Sequence, residues 1–297
     1  MFGKVMFFSI FILMGCSIQP NATSRIPKRV ALVIGNQHYV GNELENPIND
    51  AIGVDETLKK IGFDSTLVVD VTLHELNEAL EHLKSKIEPN NTIVFIYFAG
   101  HGNSLHKNSS EQFLMMTDKE KPVLVSIFKF YDFLKSVKAK HSIIALDACR
   151  DFQKHYIALN GEENGKVLKN FRGNFSLKDF RAGHIRYDDG IKKDVQVVLD
   201  NDYSYRLPKS TLVSYATERN QKAKDWSIYD VHHSPYSYGL IQHLDDEEIP
   251  IEEVFRRVRV SILNETNRQQ SNSEEMKLEK NIWLVPKKAQ VAFSPPI

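Results

Sequence analysis

A histidine and a cysteine each follow a strongly apolar stretch of this sequence. His101 stands between two glycines after residues 93–98 (IVFIYF), and Cys149 stands three residues after residues 143–146 (IIAL). A cysteine thiolate attacks acyl carbons, and a neutral histidine can take the thiol proton and later return it to a leaving amine. Glycine lets backbone and substrate approach where a side chain would obstruct them. The two residues therefore predict a nucleophilic amide hydrolase, with a small buried core cysteine as the alternative for Cys149.

Backbone N–H groups are the predicted stabilisers of the oxyanion that such an attack creates. An oxyanion needs donors that are in place before the reaction begins. Gly102 can supply one N–H without steric obstruction, and Cys149 can supply another. Both donors then come from the same two loops as the nucleophile and the base.

The elements around these residues predict a parallel α/β sheet with helices on both faces. Fully apolar strands alternate with segments of helical spacing, which is typical of such sheets. The predicted strands are residues 29–36, 65–71, 91–99, 141–148, 211–217 and 281–285, and the predicted helices are residues 46–62, 73–87, 125–137, 236–244 and 251–263. Ligands bind beyond the carboxyl ends of such strands, and consecutive parallel strands are usually neighbours. We therefore expect His101, after the third strand, to face Cys149, after the fourth.

The bulk composition argues against several classes of partner and cofactor. The chain has 297 residues with 38 Lys and Arg against 38 Asp and Glu, so no global basic field attracts nucleic acid. The sequence has no GxGxxG or P-loop motif. The histidines have no metal-ligand spacing, and His232 and His233 are predicted to lie on a loop surface. We therefore expect no nucleic-acid partner, no metal and no cofactor, while a need for calcium stays open.

The first 15 residues predict a signal peptide rather than a membrane-spanning helix. A lysine precedes an apolar run at residues 5–14, which is too short to span a bilayer comfortably. The end of this run, LMGC at residues 13–16, resembles the lipobox of bacterial lipoproteins. The resemblance implies cleavage before Cys16, lipidation of its thiol and attachment to the cell envelope, with Ser17 favouring the outer membrane. The alternatives are an ordinary secretory signal and a short anchor helix.

The two catalytic candidates lie in motifs that resemble those of the caspase-like cysteine peptidases. Residues 97–102 (YFAGHG) and 146–151 (LDACRD) resemble the histidine and cysteine motifs, which are separated by about 50 residues in caspases as well. The segments VIGN and NDA near the start, and SYAT, SPY and IEEVF further on, resemble bacterial caspase-like proteins, metacaspases and paracaspases. The resemblance implies a caspase-like fold, with a mostly parallel central sheet, and a cysteine-type endopeptidase with a dyad of His101 and Cys149.

The residue two before the cysteine indicates which substrates this resemblance implies. Caspases have glutamine there and cleave after aspartate, whereas this chain has Asp147, like metacaspases and paracaspases, which cleave after Arg or Lys. A carboxylate in a walled pocket attracts a basic side chain and repels an acidic one. By the same resemblance Asp50 and Asp225 are further candidates for the S1 pocket, which binds the P1 residue on the amino side of the cleaved bond. The alternatives are a helix-start or capping role for Asp50 and a solvated loop charge for Asp225.

The chain is predicted to contain one enzyme domain between short flanking segments. The signal peptide (1–15) and a polar tether (16–28) precede a caspase-like peptidase domain at residues 29–286, and a tail occupies residues 287–297. Within the domain, residues 152–210 form a basic, aperiodic insert, for which a self-cleavage linker, a specificity element and plain disorder are the alternatives. The predicted activity is cleavage of proteins or peptides after a basic P1 residue, on the periplasmic side of the envelope. The main alternative is a catalytically silent caspase-fold scaffold; an esterase or amidase is less favoured, because no GxSxG motif is present.

Overall fold

The computed structural model describes residues 26–104, 112–118, 123–150 and 207–285, together with two strands at residues 183–186 and 194–198. The predicted signal peptide, Cys16 and the tail at residues 287–297 lie outside these residues. The predicted tether and the insert are described only in part. Two sheets and five helices form the described part of the chain.

Six strands form the main sheet. They are β1 (Lys28–Gly35), β2 (Asp64–Val69), β3 (Thr92–Ala99), β7 (His141–Asp147), β10 (Thr211–Tyr215) and β11 (Ser273–Lys277). Their order across the sheet is β11-β10-β7-β3-β1-β2, and all neighbours are parallel except β11, which is antiparallel to β10. The central strand β3 is buried along all eight residues, because helices cover both faces of the sheet. The predicted, mostly parallel α/β sheet is confirmed.

Five helices cover the two faces of this sheet. They are α1 (Pro47–Lys60), α2 (Leu73–Lys86), α3 (Phe128–Val137), α4 (Pro235–His243) and α5 (Ile251–Glu265). Apolar residues of α2 and α3 belong to one hydrophobic core, and those of α1, α4 and α5 belong to a second core on the opposite face. Local signals set the helix ends: Thr72 and Glu75 form a capping box at the start of α2, and Gly62, at φ +88°, follows the end of α1. Among the helices of the described ranges, none is long and apolar enough to cross a membrane.

A second sheet begins directly after β3. Its strands are β4 (Gly102–Asn103), β5 (Phe113–Met116), β6 (Val123–Ser126), β8 (Gly183–Arg186) and β9 (Asp194–Val198), in the order β4-β5-β6-β9-β8. Strands β8 and β9 lie within the predicted insert at residues 152–210, where no strand was predicted. β8 and β9 pair with each other, and β9 pairs with the distant strand β6. A local sequence pattern does not reveal such pairing.

Two predicted elements have a different form in the structure. The predicted helix at residues 125–137 begins only at Phe128, because the preceding residues belong to β6, which is fully buried and pairs with β5. Residues 281–285 were predicted as a strand but are irregular, and Ile282 and Leu284 are buried in the second core without strand pairing. The sheet edge beside β10 is occupied instead by β11, whose polar sequence hid it. Apolar composition alone therefore misplaced one strand and missed another.

Candidate active site

The carboxyl ends of β3 and β7 bring His101 and Cys149 to one cleft. The two strands are parallel neighbours, with Ala99 opposite Asp147. The Gly100 N–H extends this pairing by donating to the Asp147 carbonyl at 3.1 Å. Both strands therefore end at the same level, and His101 and Cys149 line the same open cleft. The strand order expected from the sequence thus accounts for their proximity.

Contacts from Asn42 and Tyr39 hold His101. The imidazole Nε2 lies 2.8 Å from the Asn42 carbonyl oxygen. Because a carbonyl only accepts, Nε2 carries the proton, and Nδ1 is the unprotonated nitrogen of the neutral ring. The Tyr39 hydroxyl accepts from the His101 N–H at 3.1 Å and donates to the Met115 carbonyl at 3.1 Å, while the two ring centroids are 4.6 Å apart. The imidazole is thereby held in the tautomer that leaves Nδ1 able to act as a base.

The two glycines that flank the histidine leave room for these contacts. Gly100 has φ +152°, and a Cβ there would lie 2.4 Å from the Tyr39 hydroxyl oxygen. A Cβ on Gly102 would lie 2.7 Å from both the Ala148 Cβ and the Gln112 Nε2. Close packing of the histidine turn against its neighbours therefore requires glycine at both positions.

Cys149 is partly buried and lies in the loop that follows β7. Its sulfur is 3.4 Å from the Ala223 amide nitrogen, a donor of the kind that a thiolate accepts. Its carbonyl accepts from Gln112 Nε2 at 2.6 Å, and the N–H of the next residue, Arg150, donates to the Gln221 carbonyl at 3.0 Å. The candidate nucleophile is thus held by contacts to the sulfur and to the peptide unit that follows it.

The strand register indicates where the Gly102 N–H points. The Met115 N–H donates to the His101 carbonyl at 2.9 Å, and Asn103 lies opposite Phe113. In an antiparallel pair, residues that exchange hydrogen bonds alternate with residues whose N–H and C=O point away from the partner strand. Gly102 lies between two positions that face β5, so its own N–H points away from β5. This direction is compatible with its predicted role as an oxyanion donor.

Asp147 and Asp50 bring two buried carboxyl groups to the same cleft. Asp147 is 6% exposed, and its burial, followed by the nearby charge of Asp50, raises its pKa to about 8. Hydrogen bonds from the Ser234 and Ser237 hydroxyls act in the opposite direction and lower this pKa. Asp50 is 1% exposed, and burial raises its pKa well above the usual range, although it accepts from the Ser234 N–H at 3.0 Å. Both carboxyl groups contact the N-terminus of α4, where the helix dipole favours negative charge. The α4 N-terminus thus receives two carboxyl groups that are almost completely buried.

Asp225 lies on a loop that reaches the same cleft, which Lys224 also lines. The Asp225 carboxylate accepts from the Glu45 N–H at 2.8 Å, and burial raises its pKa, so it is not a fully solvated loop charge. Asp50 is compatible with both predicted roles: it lies in the first turn of α1, as a helix-start residue does, and it lines the cleft, as an S1 residue does. The prediction that His233 lies on a loop surface is wrong: its Nδ1 is 3.1 Å from the Asp50 carboxyl, and burial lowers its pKa. Across the described ranges, no group of three or more His, Cys, Asp or Glu could hold a metal ion.

Several contacts in and around the cleft were not predicted from the sequence. They come from the Asn42 carbonyl, the Gln112 carboxamide and the hydroxyls of Ser234 and Ser237. The Ser-Pro pair at the start of α4 was a local signal for Ser234, which caps that helix. The Asn42 carbonyl and Gln112 carry no local signal, because their contacts join distant parts of the chain.

Comparisons with known proteins place this cleft in a family. Residues 28–282 match the family model of the caspase domain. Caspase-1 from Spodoptera frugiperda aligns with a TM-score of 0.57 and 12% identity, over 90% of this chain and 93% of that chain. The Drosophila initiator caspase Dronc aligns with a TM-score of 0.55 and 13% identity, over 88% of this chain and 84% of that chain. Both structures show the likeness in fold.

A search of curated protein sequences found no significant match. The family model nevertheless spans most of the chain, including β3, β7 and the cleft at their carboxyl ends. The chain therefore belongs to the caspase-domain family of cysteine peptidases.

Proposed function

We propose that this protein is a cysteine endopeptidase in which Cys149 is the nucleophile and His101 is the general base. The observation that carries the proposal is their shared cleft, in which the Nε2 proton of the imidazole is directed to the Asn42 carbonyl. Nδ1 is then the nitrogen that can accept a proton. Membership of a cysteine peptidase family supports the same activity.

In this mechanism Nδ1 of His101 takes the thiol proton of Cys149 as the sulfur attacks the substrate carbonyl carbon. The carbonyl oxygen becomes an oxyanion, which accepts hydrogen bonds from the N–H groups of Gly102 and Cys149. The C–N bond then breaks, and the imidazolium gives its proton to the leaving amine. A water molecule, deprotonated by the same imidazole, attacks the thioester, and the released thiolate regains its proton.

The acidic side of the cleft supports a preference for a basic P1 residue. Asp147, Asp50 and Asp225 all line it, and a guanidinium can bind a carboxylate through two parallel hydrogen bonds, which favours Arg over Lys. Burial keeps the pKa of Asp147 high, whereas a cation within about 4–6 Å favours the charged form and lowers that pKa. Substrate binding and the ionisation of Asp147 are therefore coupled.

The proposed substrates are proteins or peptides with an accessible Arg or Lys, and the reaction needs no nucleic acid and no cofactor. The likeness of residues 13–16 to a lipobox supports a lipid anchor at Cys16. The peptidase would then act at the bacterial cell envelope, on the periplasmic face of the outer membrane.

Turnover of fluorogenic peptides that differ only at P1 tests the proposal. The purified protein should cleave after Arg and Lys in preference to Asp or a neutral residue. Cys149→Ala and His101→Ala should each abolish turnover while the protein stays folded. His74→Ala, at an exposed position on α2, is the matched control and should keep full activity.

Two outcomes would contradict the proposal in different ways. Turnover by a folded Cys149→Ala protein would refute the dyad. A wild-type protein that reacts at Cys149 with a basic chloromethylketone but cleaves no peptide would favour the catalytically silent scaffold.

A further inference from the structure

Gln112 lies between the histidine turn and the cysteine turn. It is 1% exposed and immediately precedes β5. Its backbone carbonyl accepts from the Ile127 N–H at 2.8 Å, directly before α3, so this contact holds its backbone next to the paired strand β5. A buried carboxamide in this position must find partners inside the protein.

The Gln112 carboxamide hydrogen-bonds to the cysteine turn and lies beside the histidine turn. Its Nε2 donates to the Cys149 carbonyl at 2.6 Å, and the same nitrogen would lie 2.7 Å from a Cβ on Gly102. Such a Cβ would also lie 3.0 Å from the Cys149 carbonyl oxygen, so the three groups are in close contact. Gly102 and Cys149 are the residues whose N–H groups are proposed to bind the oxyanion. Gln112 therefore bridges the two residues that must keep a fixed separation during the reaction.

The bridge also fixes the peptide unit that follows the nucleophile. This unit donates its N–H, from Arg150, to the Gln221 carbonyl at 3.0 Å, while Gln112 donates to its carbonyl. Rotation of the unit would change the ψ angle of Cys149, and a hydrogen bond on each side opposes that rotation. Since oxyanion donors act through geometry that is set in advance, a small rotation here weakens transition-state binding.

We infer that Gln112 is a positioning residue for the proposed reaction, because its carboxamide joins the Cys149 carbonyl to the Gly102 turn and so holds the two oxyanion donors in register. The Gln112 side chain is buried and donates to a backbone carbonyl, so it acts through the two backbone turns. The inference rests on the proposed dyad of Cys149 and His101. It predicts a loss in kcat with little change in substrate affinity.

Gln112→Met tests the inference, because methionine has a similar length and no donor. We expect kcat to fall by about tenfold, less than the roughly 10²–10³-fold cost of removing an oxyanion donor itself, while KM stays within about twofold. Affinity for a peptide aldehyde should also fall by about tenfold, since its adduct with Cys149 carries an oxygen at the oxyanion position. Alkylation of Cys149 by iodoacetamide creates no oxyanion, so its rate should stay within about twofold.

Asn272→Leu is the matched control. Asn272 is also 1% exposed, and its Nδ2 donates to the Phe255 carbonyl at 3.3 Å and to the Glu274 carboxylate at 2.5 Å, so the change removes another buried carboxamide donor with little change in shape. This variant should keep the wild-type kcat, aldehyde affinity and alkylation rate. Equal losses in both variants would show that any buried carboxamide has this effect, and would overturn the inference.

Gln112→Glu adds a readout that a merely structural role would not give. A protonated carboxyl group can still donate to the Cys149 carbonyl, whereas an ionised one cannot. The kcat of this variant, relative to that of the wild type, should therefore fall as pH rises. A ratio that does not change with pH would count against the donor role.

The failure of the inference and the failure of the proposed function are distinguishable. If the wild type is active and Gln112→Met has unchanged kcat and aldehyde affinity, the inference is wrong and the dyad stands. If the wild type cleaves no peptide, the proposed function is wrong. Amide hydrogen exchange then tests whether Gln112 holds the cysteine turn. Faster exchange at residues 146–150 in Gln112→Met than in Asn272→Leu would support the bridge, and equal exchange would overturn it.

Discussion

The pKa of Asp147 makes the proposed preference for arginine depend on pH. Burial raises this pKa to about 8, so the carboxyl group is mostly protonated near neutrality and becomes an anion as pH rises. About 1% of a group with this pKa is ionised at pH 6 and about half at pH 8. Because kcat/KM reports ionisations of the free enzyme, the value for an arginine substrate should rise by about 50-fold over this range.

The assay compares two peptides that differ only in having arginine or norleucine at P1. Ionisation of His101 and Cys149 affects both peptides, so it cancels in the ratio of their kcat/KM values. Asp147→Asn should lower this ratio by roughly 30-fold or more at pH 8, since removing one partner of a buried charge pair costs about 2–5 kcal/mol. The asparagine oxygen can still accept from the hydroxyls of Ser234 and Ser237, so those contacts are kept. The pH dependence of the ratio should become much flatter in this variant.

The same pKa predicts how the stability of the protein changes with pH. The folded protein binds the Asp147 proton more tightly than the unfolded chain, whose carboxyl has a pKa near 3.8. The free energy of unfolding therefore declines as pH rises from about 4 to about 8. Asp147→Asn removes the contribution of this proton to the free energy of unfolding. The Tm of the variant should therefore exceed that of the wild type at pH 8, but should not exceed it below about pH 4.

Two results would refute this reasoning. A wild-type ratio that is flat between pH 6 and pH 8 would show that Asp147 is not the ionising group of the S1 pocket, and so would an equal rise in Asp147→Asn. A wild-type enzyme that prefers aspartate at P1 would refute the acidic pocket as a whole.

Gly100→Ala should lower the free energy of unfolding by about 3 kcal/mol, because its Cβ would lie 2.4 Å from the Tyr39 hydroxyl oxygen. Gly62→Ala should lower it by only about 1 kcal/mol: the backbone has φ +88°, but nothing lies within 4 Å of the added Cβ. Urea unfolding measures both, and equal costs would contradict the packing account. Thr72→Ala should cost about 1 kcal/mol through loss of the capping box and leave peptide turnover unchanged; a change in kcat would contradict a purely structural role. Cys16→Ser should block lipid attachment, and mass spectrometry of the membrane fraction that finds an unmodified Cys16 in the wild-type protein would refute the anchor.

The positions of His101 and Cys149 at the ends of neighbouring strands could be predicted from the sequence. The runs before them are apolar, so each of the two strands is encoded by residues that are close in the chain. The rule that consecutive parallel strands are neighbours then made β3 adjacent to β7. Capping signals such as Thr72 and the Ser-Pro pair before α4 mark helix ends in the same local way.

Strands that form only by pairing with segments distant in the chain were predicted poorly. The helix predicted at residues 125–137 included Val125 and Ser126, but pairing with β5 makes these two residues part of a strand. The polar strand β11 has no apolar alternation, and it exists because β10 offers an edge for pairing. Residues 281–285 have the composition of a strand and no strand beside them.

The sequence by itself determined which residue types reach the cleft, because strand ends and turn residues are local properties. Only the tertiary structure decided how those residues are held and charged. The His101 tautomer depends on the carbonyl of Asn42, and the carbonyl of Cys149 depends on Gln112. The high pKa of Asp147 depends on burial against the N-terminus of α4. Burial and hydrogen bonding between distant segments exist only after the chain has folded, so no local pattern could have predicted them.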